Sequence, residues 1–253
     1  MTDVLSLAAP RTDVPVRRTA PSLPALVGLE MRKSLSTRSG KSLAAAAVLA
    51  GPAGMALLGL AGDQFPHYAG PLAVVGVMTG LLLLALGVLS TGGEWTHRTA
   101  QTTFLLVPHR GRVLAAKAGA VAVLGVLLAG AAAALSMLVL LGIAPPDVSW
   151  DGAVRALVAV LGAGAAFAVA GAGVGAATGN TAAALTGLYL LILGAMQIVR
   201  LWNHTVAVWV DPVDATLELG MGTELTRPIV VLAGWVVVAS VAGWVLTRRR
   251  QVG

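Results

Sequence analysis

From residue 42 onward the chain alternates between long apolar runs and short polar connections. Six runs, at about 42–61, 69–91, 117–142, 153–178, 182–199 and 228–247, each approach the ~20 residues a helix needs to cross a ~30 Å hydrocarbon core. Only Gly179-Asn180-Thr181 separates the fourth run from the fifth, which predicts a tight turn. An even number of crossings leaves both ends of the chain on one side. Ahead of the first run, Leu23, Val27, Met31 and Leu35 recur every four residues, so 23–41 reads as an amphipathic helix at the membrane surface. Its polar residues Glu30, Arg32, Lys33 and Ser34 fall largely off the apolar stripe. Residues 1–22, punctuated by Pro10, Pro15 and Pro21 and charged by Arg11, Arg17 and Arg18, read as a disordered cytosolic tail. The chain thus divides into a tail, 1–22, and a six-span domain, 23–253.

Composition excludes the soluble alternatives. Hydrophobic residues make up 57% of the chain and charged ones 11%, where soluble domains carry roughly a quarter. With so few charges no soluble globule of this size covers its surface, and a nucleic-acid-binding domain is excluded despite the net charge of +6. The 31 glycines fit the enrichment of membrane helices. The fold class expected is all-α integral membrane.

Charge then assigns the sides. Of 17 Lys and Arg, 14 fall before run one, between run two and the first residue of run three (Lys117, at the membrane edge), or after run six. Only Arg155, Arg200 and Arg227 fall on the other side, with Asp63, Asp147, Asp151, Asp211, Asp214, Glu218 and Glu224. The positive-inside rule therefore puts both termini in the cytoplasm of a multi-pass plasma-membrane protein.

Little in the runs is chemically active. Ionisable residues inside a bilayer mark ion pathways, proton relays or counter-ions, and their near absence disfavours a secondary transporter, a pump or a voltage sensor. Thr79, Ser136, Thr186, Tyr189 and Gln197 are mild polar groups. Tyr189 and Gln197 are candidates for a substrate path, although such residues more often hydrogen-bond between helices. Gly171, Gly175 and Gly179, like Gly76 and Gly80, recur at the small-residue spacing that lets helices approach closely. The chain has no Cys, and His67, His97, His109 and His204 show no metal-ligand spacing. It has no P-loop and no hydrolase or metalloprotease motif, so no catalytic residue and no bound cofactor or metal are expected.

Two connections are unlike plain loops. Between runs two and three, Gly92-Gly93-Glu94-Trp95 leads into a stretch closed by Pro108. After the Gly pair, Glu94 is expected to start a short cytosolic helix, its charge against the positive helix N-terminus. Trp95, Thr99 and Phe104 would offer a face to a partner. Between runs five and six, residues 200–227 carry Trp202, Val206, Val208, Trp209, Val210, Val213, Leu217 and Leu219, more apolar surface than a solvated loop exposes. Asp211-Pro212 and Asp214 interrupt it. Two short helices dipping into the outer leaflet, with the tryptophans at the interface, are expected here.

Glu94, Thr99, Pro108, Arg110 and Lys117, in this order and spacing, resemble the signature of type-2 ABC transporter permeases, in a form similar to the actinobacterial branch. Arg98 stands where many relatives have Gly. Residues 30–38 similarly resemble the N-terminal elbow helix of that family. The resemblance implies that the stretch around Glu94, Trp95, Arg98, Thr99, Phe104, Pro108 and Arg110 is a coupling helix seated in a separate ATP-binding subunit, and that Glu94 pairs with a basic group there or on the elbow helix. It also implies that Trp202, Trp209, Asp211 and Pro212 belong to re-entrant helices forming an outer gate.

The function so implied is the membrane-spanning subunit of an ABC exporter, working as a dimer with an identical or related second permease subunit. ATP and Mg would bind the partner subunit, so the chain would not be an enzyme by itself. Spans that carry so few charges suit an apolar or amphipathic substrate. A structural or assembly membrane protein and a secondary transporter are the alternatives.

Overall fold

A computed structural model describes residues 22–62, 66–96, 110–145, 147–222 and 224–249, and nearly all of them are helical. The expected tail and the residues Arg98, Thr99, Phe104 and Pro108 lie outside the described residues. In chain order the helices are α1 (Leu23–Ser34), α2 (Arg38–Leu60), α3 (Ala69–Thr96), α4 (Arg110–Ile143), α5 (Ala153–Thr178), α6 (Thr181–Trp202), α7 (His204–Val210), α8 (Pro212–Met221) and α9 (Thr226–Arg249). Among them α2, α3, α4, α5, α6 and α9 are long and apolar enough to cross a membrane, the pattern of a multi-pass membrane protein. They match the six apolar runs; α5 coincides with the fourth, and the others start or end up to seven residues beyond theirs.

Helix boundaries follow local chemistry. The amphipathic segment breaks after Ser34, and Thr37 caps α2 by accepting the Gly40 N–H at 3.0 Å. One helix over 23–41 was expected; two form, because Thr37 supplies a fresh N-terminus. Within α1 the half-buried Val27 and Met31 face the bundle, and Val27 packs beside Gly119 of α4. The short turn between α5 and α6 is built as its sequence suggests. Gly179 takes a left-handed conformation (φ +63°) to end α5, and Asn180 caps α6 by accepting the Ala183 N–H at 3.0 Å.

The centre of the bundle is the contact between α3 and α5, the most extensive among the described residues. A Cβ on Gly87 would overlap the Ala168 carbonyl, and one on Gly171 would overlap the Leu84 carbonyl. These two helices therefore pack backbone to backbone. Gly173 and Gly243 do the same between α5 and α9. Leu84, Val88, Phe167, Leu188 and Ile192 build the adjoining core. On the far side of α3, the Thr79 hydroxyl donates to the Ala47 carbonyl of α2 at 3.2 Å. It lies near Pro52, whose missing N–H breaks the α2 ladder.

Helices α7 and α8 form a V folded into the bundle. Gly220, near the end of α8, packs on Ala73 in the second turn of α3. Pro212, at its start, borders a small cavity with Leu84, Phe167 and Ile192, which lie in the middle turns of α3, α5 and α6. The vertex at Asp211-Pro212 is thus about half-way along the bundle. Trp202 sits at the end of α6 and is 79% exposed. Trp209 was expected at the same interface but lies beside the vertex, in the cleft between α6 and α9 with Leu188 and Val231.

Candidate functional site

Lysines and arginines crowd one end of the bundle, where α1, the end of α3 and the start of α4 meet. There the chain lines up four charges, the inner two buried, Glu30 partly covered and Lys33 exposed. Lys117, on α4, is 4% exposed and Glu94, on α3, is 8% exposed. Lys117 Nζ donates to Glu94 Oε1 at 2.7 Å and to Glu30 Oε2 at 2.5 Å. Glu94 Oε1 also accepts from Lys33 Nζ. Glu30 and Lys33 are one turn apart on α1, so the order Lys33, Glu94, Lys117, Glu30 alternates in sign and sums to zero.

The line joins three helices distant in sequence. A buried charge is tolerated only when paired and hydrogen-bonded, and each inner member here has two opposite partners. Removing one partner of a buried pair costs about 3–5 kcal/mol, because the other charge is stranded. The cluster therefore holds α1 against the junction of α3 and α4.

Glu94 differs from expectation in its placement. It does not start a new helix: α3 runs unbroken through Gly92 and Gly93, and Glu94 lies in its last turns. Gly92 serves close packing, since a Cβ there would press on Thr181 Oγ1 and approach the Gly175 carbonyl. The carboxylate thus faces the negative end of its own helix dipole, and the two lysines compensate. Glu30, expected off the buried face, points into the bundle towards Lys117. Of the other expected residues, Trp95 is half-buried at the end of α3, Arg32 is exposed, and Arg110 opens α4. Lys117, expected at the membrane edge, is the most enclosed charge of the four.

A second cluster lies at the vertex of the V, away from that end. Asp211 is fully buried. Its Oδ1 accepts the N–H groups of Val213 at 2.8 Å and Asp214 at 3.3 Å, capping α8, and its Oδ2 accepts from Arg200 Nη2 at 2.6 Å. Pro212 follows at the first helical position, where its missing N–H is harmless. The Trp235 indole donates to the Val210 carbonyl at 2.8 Å and so holds the vertex to α9.

Sequence reasoning counted Arg155, Arg200 and Arg227 only as exceptions to the charge asymmetry. Each one ties down the segment from α6 to α9. Arg155 donates to the carbonyls of Leu219 (2.9 Å), Glu218 (3.3 Å) and Glu224 (3.1 Å), satisfying the C-terminal end of α8. Arg227 lies 3.8 Å from Glu218 and 3.7 Å from Glu224. The signal that could have found them was the excess of carboxylates in the same stretch.

Tyr189 and Gln197 do not converge. The Tyr189 hydroxyl donates to the Leu81 carbonyl of α3 at 2.8 Å, a bond between helices, whereas Gln197 is exposed on the outside of α6. No family model matches the chain, and no curated protein matches it.

Proposed function

We propose that the chain is the membrane-spanning subunit of an ATP-driven exporter of the type-2 ABC class, moving an apolar or amphipathic substrate. The observation that carries this reading is the charge line Lys33–Glu94–Lys117–Glu30, buried at its centre. It lies where α3 leads into, and α4 leads out of, residues 97–109, the stretch with most of the family resemblance. A push on that stretch from a partner would act directly on this junction and, through α3, on the helices packed against it. The V at the far end, whose vertex lies against the middle of α3, is the natural recipient. On this reading residues 97–109 are the coupling helix, α1 is the elbow helix and α7–α8 are re-entrant helices of an outer gate. The basic end then faces the cytoplasm. ATP and Mg are held by a separate ATP-binding subunit, and a second permease subunit completes the dimer.

The test is Glu94→Gln, which keeps shape and removes charge. It weakens two charge-assisted contacts of roughly 1.5–3 kcal/mol each. In liposomes reconstituted with the ATP-binding subunit, association should change modestly, while transport per ATP falls about tenfold or more. Wild-type transport per ATP in the variant would sink the coupling role. Failure of any ATP-binding subunit to co-purify with the wild-type chain would sink the assignment itself. Orientation has its own test, clean because the chain lacks Cys. Asp214→Cys should react with an impermeant thiol reagent in intact cells, and Arg249→Cys should not.

A further inference from the structure

At the acidic end of the bundle, α2, α3, α5 and α8 do not close on one another. They leave a cavity of about 660 Å³, inside the ~300–1,000 Å³ range of small-molecule sites. Its floor is apolar, with Met55 and Leu58 from α2 and Pro71 and Val74 from α3. Asp151, in the turn just before α5, and Arg155, in its first turn, stand in its wall with His67. They form no ion pair with each other among the described residues. Arg155 commits Nε and Nη2 to the three carbonyls around the end of α8, which leaves the two N–H groups of Nη1. The Asp151 backbone N–H bonds to Ser149 Oγ, and its carboxylate has no partner among the described residues.

An unused guanidinium edge recognises a phosphate or carboxylate, and an unused carboxylate recognises an ammonium. Here both line one cavity over an apolar floor that continues along the bundle. Val74 and Met78 lie one turn apart on α3, both exposed, and Met78 lies beside Gly54 of α2, one turn below Leu58. The furrow between α2 and α3 therefore leads from the cavity along the hydrocarbon.

We propose that this cavity binds an amphiphile with a zwitterionic head, an aminophospholipid of the phosphatidylethanolamine type from the leaflet at the acidic end. Its phosphate lies on Arg155 Nη1, its ammonium on the Asp151 carboxylate, and an acyl chain on Leu58, Val74 and Met78. The same arrangement rejects an anionic lipid without an amine, because its head would meet the Asp151 charge unpaired. The proposal needs a bilayer around the helices but not the ATP-coupled reading.

The experiment is lipid binding to the purified full-length chain in lipid-free detergent, read by native mass spectrometry. Phosphatidylethanolamine should bind about tenfold or more tighter than phosphatidylglycerol, the factor expected of one charge-assisted contact. Asp151 is exposed, so Asp151→Asn should fold normally and lose that preference. Val74→Trp, which fills the mouth of the cavity from its exposed wall, should weaken binding of both lipids. Glycerophosphoethanolamine, the head without chains, should not compete at the same concentration. Equal binding of the two lipids to the wild type, a preference kept by Asp151→Asn, wild-type binding by Val74→Trp, or full competition by the chainless head would each overturn the proposal.

Discussion

The two charge clusters of this bundle use the same chemistry for different ends. At the basic end, Glu94 and Lys117 meet side chain to side chain, and their partners Lys33 and Glu30 come from a helix far away in sequence. At the vertex of the V, Asp211 and Arg200 are only 11 residues apart, and Asp211 directs one oxygen to the N–H groups of its own helix start. The first cluster fixes how helices sit against one another. The second fixes where a chain reversal falls. An ion pair in low dielectric therefore has no single structural meaning, and what it joins decides what its loss undoes.

Lys117→Met should show the contrast most strongly. It leaves Glu30 without its partner and the buried Glu94 with Lys33 alone, and should cost about 3 kcal/mol, read as a lowered midpoint in thermal or detergent unfolding. Adding Glu30→Gln and Glu94→Gln to it should recover much of the loss, since the stranded charges are then gone. A loss no larger than that of Asp211→Asn would erase the distinction between the clusters.

Asp211→Ala comes next. It removes both the cap and the bond to Arg200, for about 2–3 kcal/mol in the same assay. Asp211→Asn separates these roles. Asparagine caps as well as aspartate, so about 1 kcal/mol should be lost, most of it through Arg200. Equal losses for the two variants would mean that the charge, and not the cap, holds the vertex. Arg227→Gln should have the smallest effect, below ~1 kcal/mol, because its ion pairs are loose, at 3.7–3.8 Å.

The spans were legible because a helix surrounded by lipid or other helices is apolar all round, so composition alone marks its length. The helix start at Pro212 was legible in principle, since Asp211-Pro212 with Asp214 in the first turn is a local signal. Glu94 was not, because Gly92-Gly93 looks the same whether it breaks a helix or lets one pass close to a neighbour. Only the position of Thr181 and Gly175 decides between these, and nothing near residue 92 encodes it. Lys117 was visible as a basic residue, but its depth depends on where α4 begins, seven residues earlier at Arg110. The expected pairing of Glu94 with a basic group of residues 30–38 is made by Lys33, whereas that of Glu30 with Lys117, 87 residues apart, leaves no trace in local pattern.

The backbone contact between α3 and α5 also bears on how freely this sequence can drift. At Gly87 and Gly171 a methyl group has nowhere to go, and the obstacle is a main-chain carbonyl that no rotamer change can move aside. Gly187 and Gly234 are just as helical and just as much glycine, yet nothing lies within 4 Å of a Cβ at either. Across descendants of this chain, the first pair would stay invariant while the second wandered to alanine or serine. The map of tolerated substitutions would thus trace the α3–α5 seam as a line of fixed points through an otherwise permissive membrane sequence.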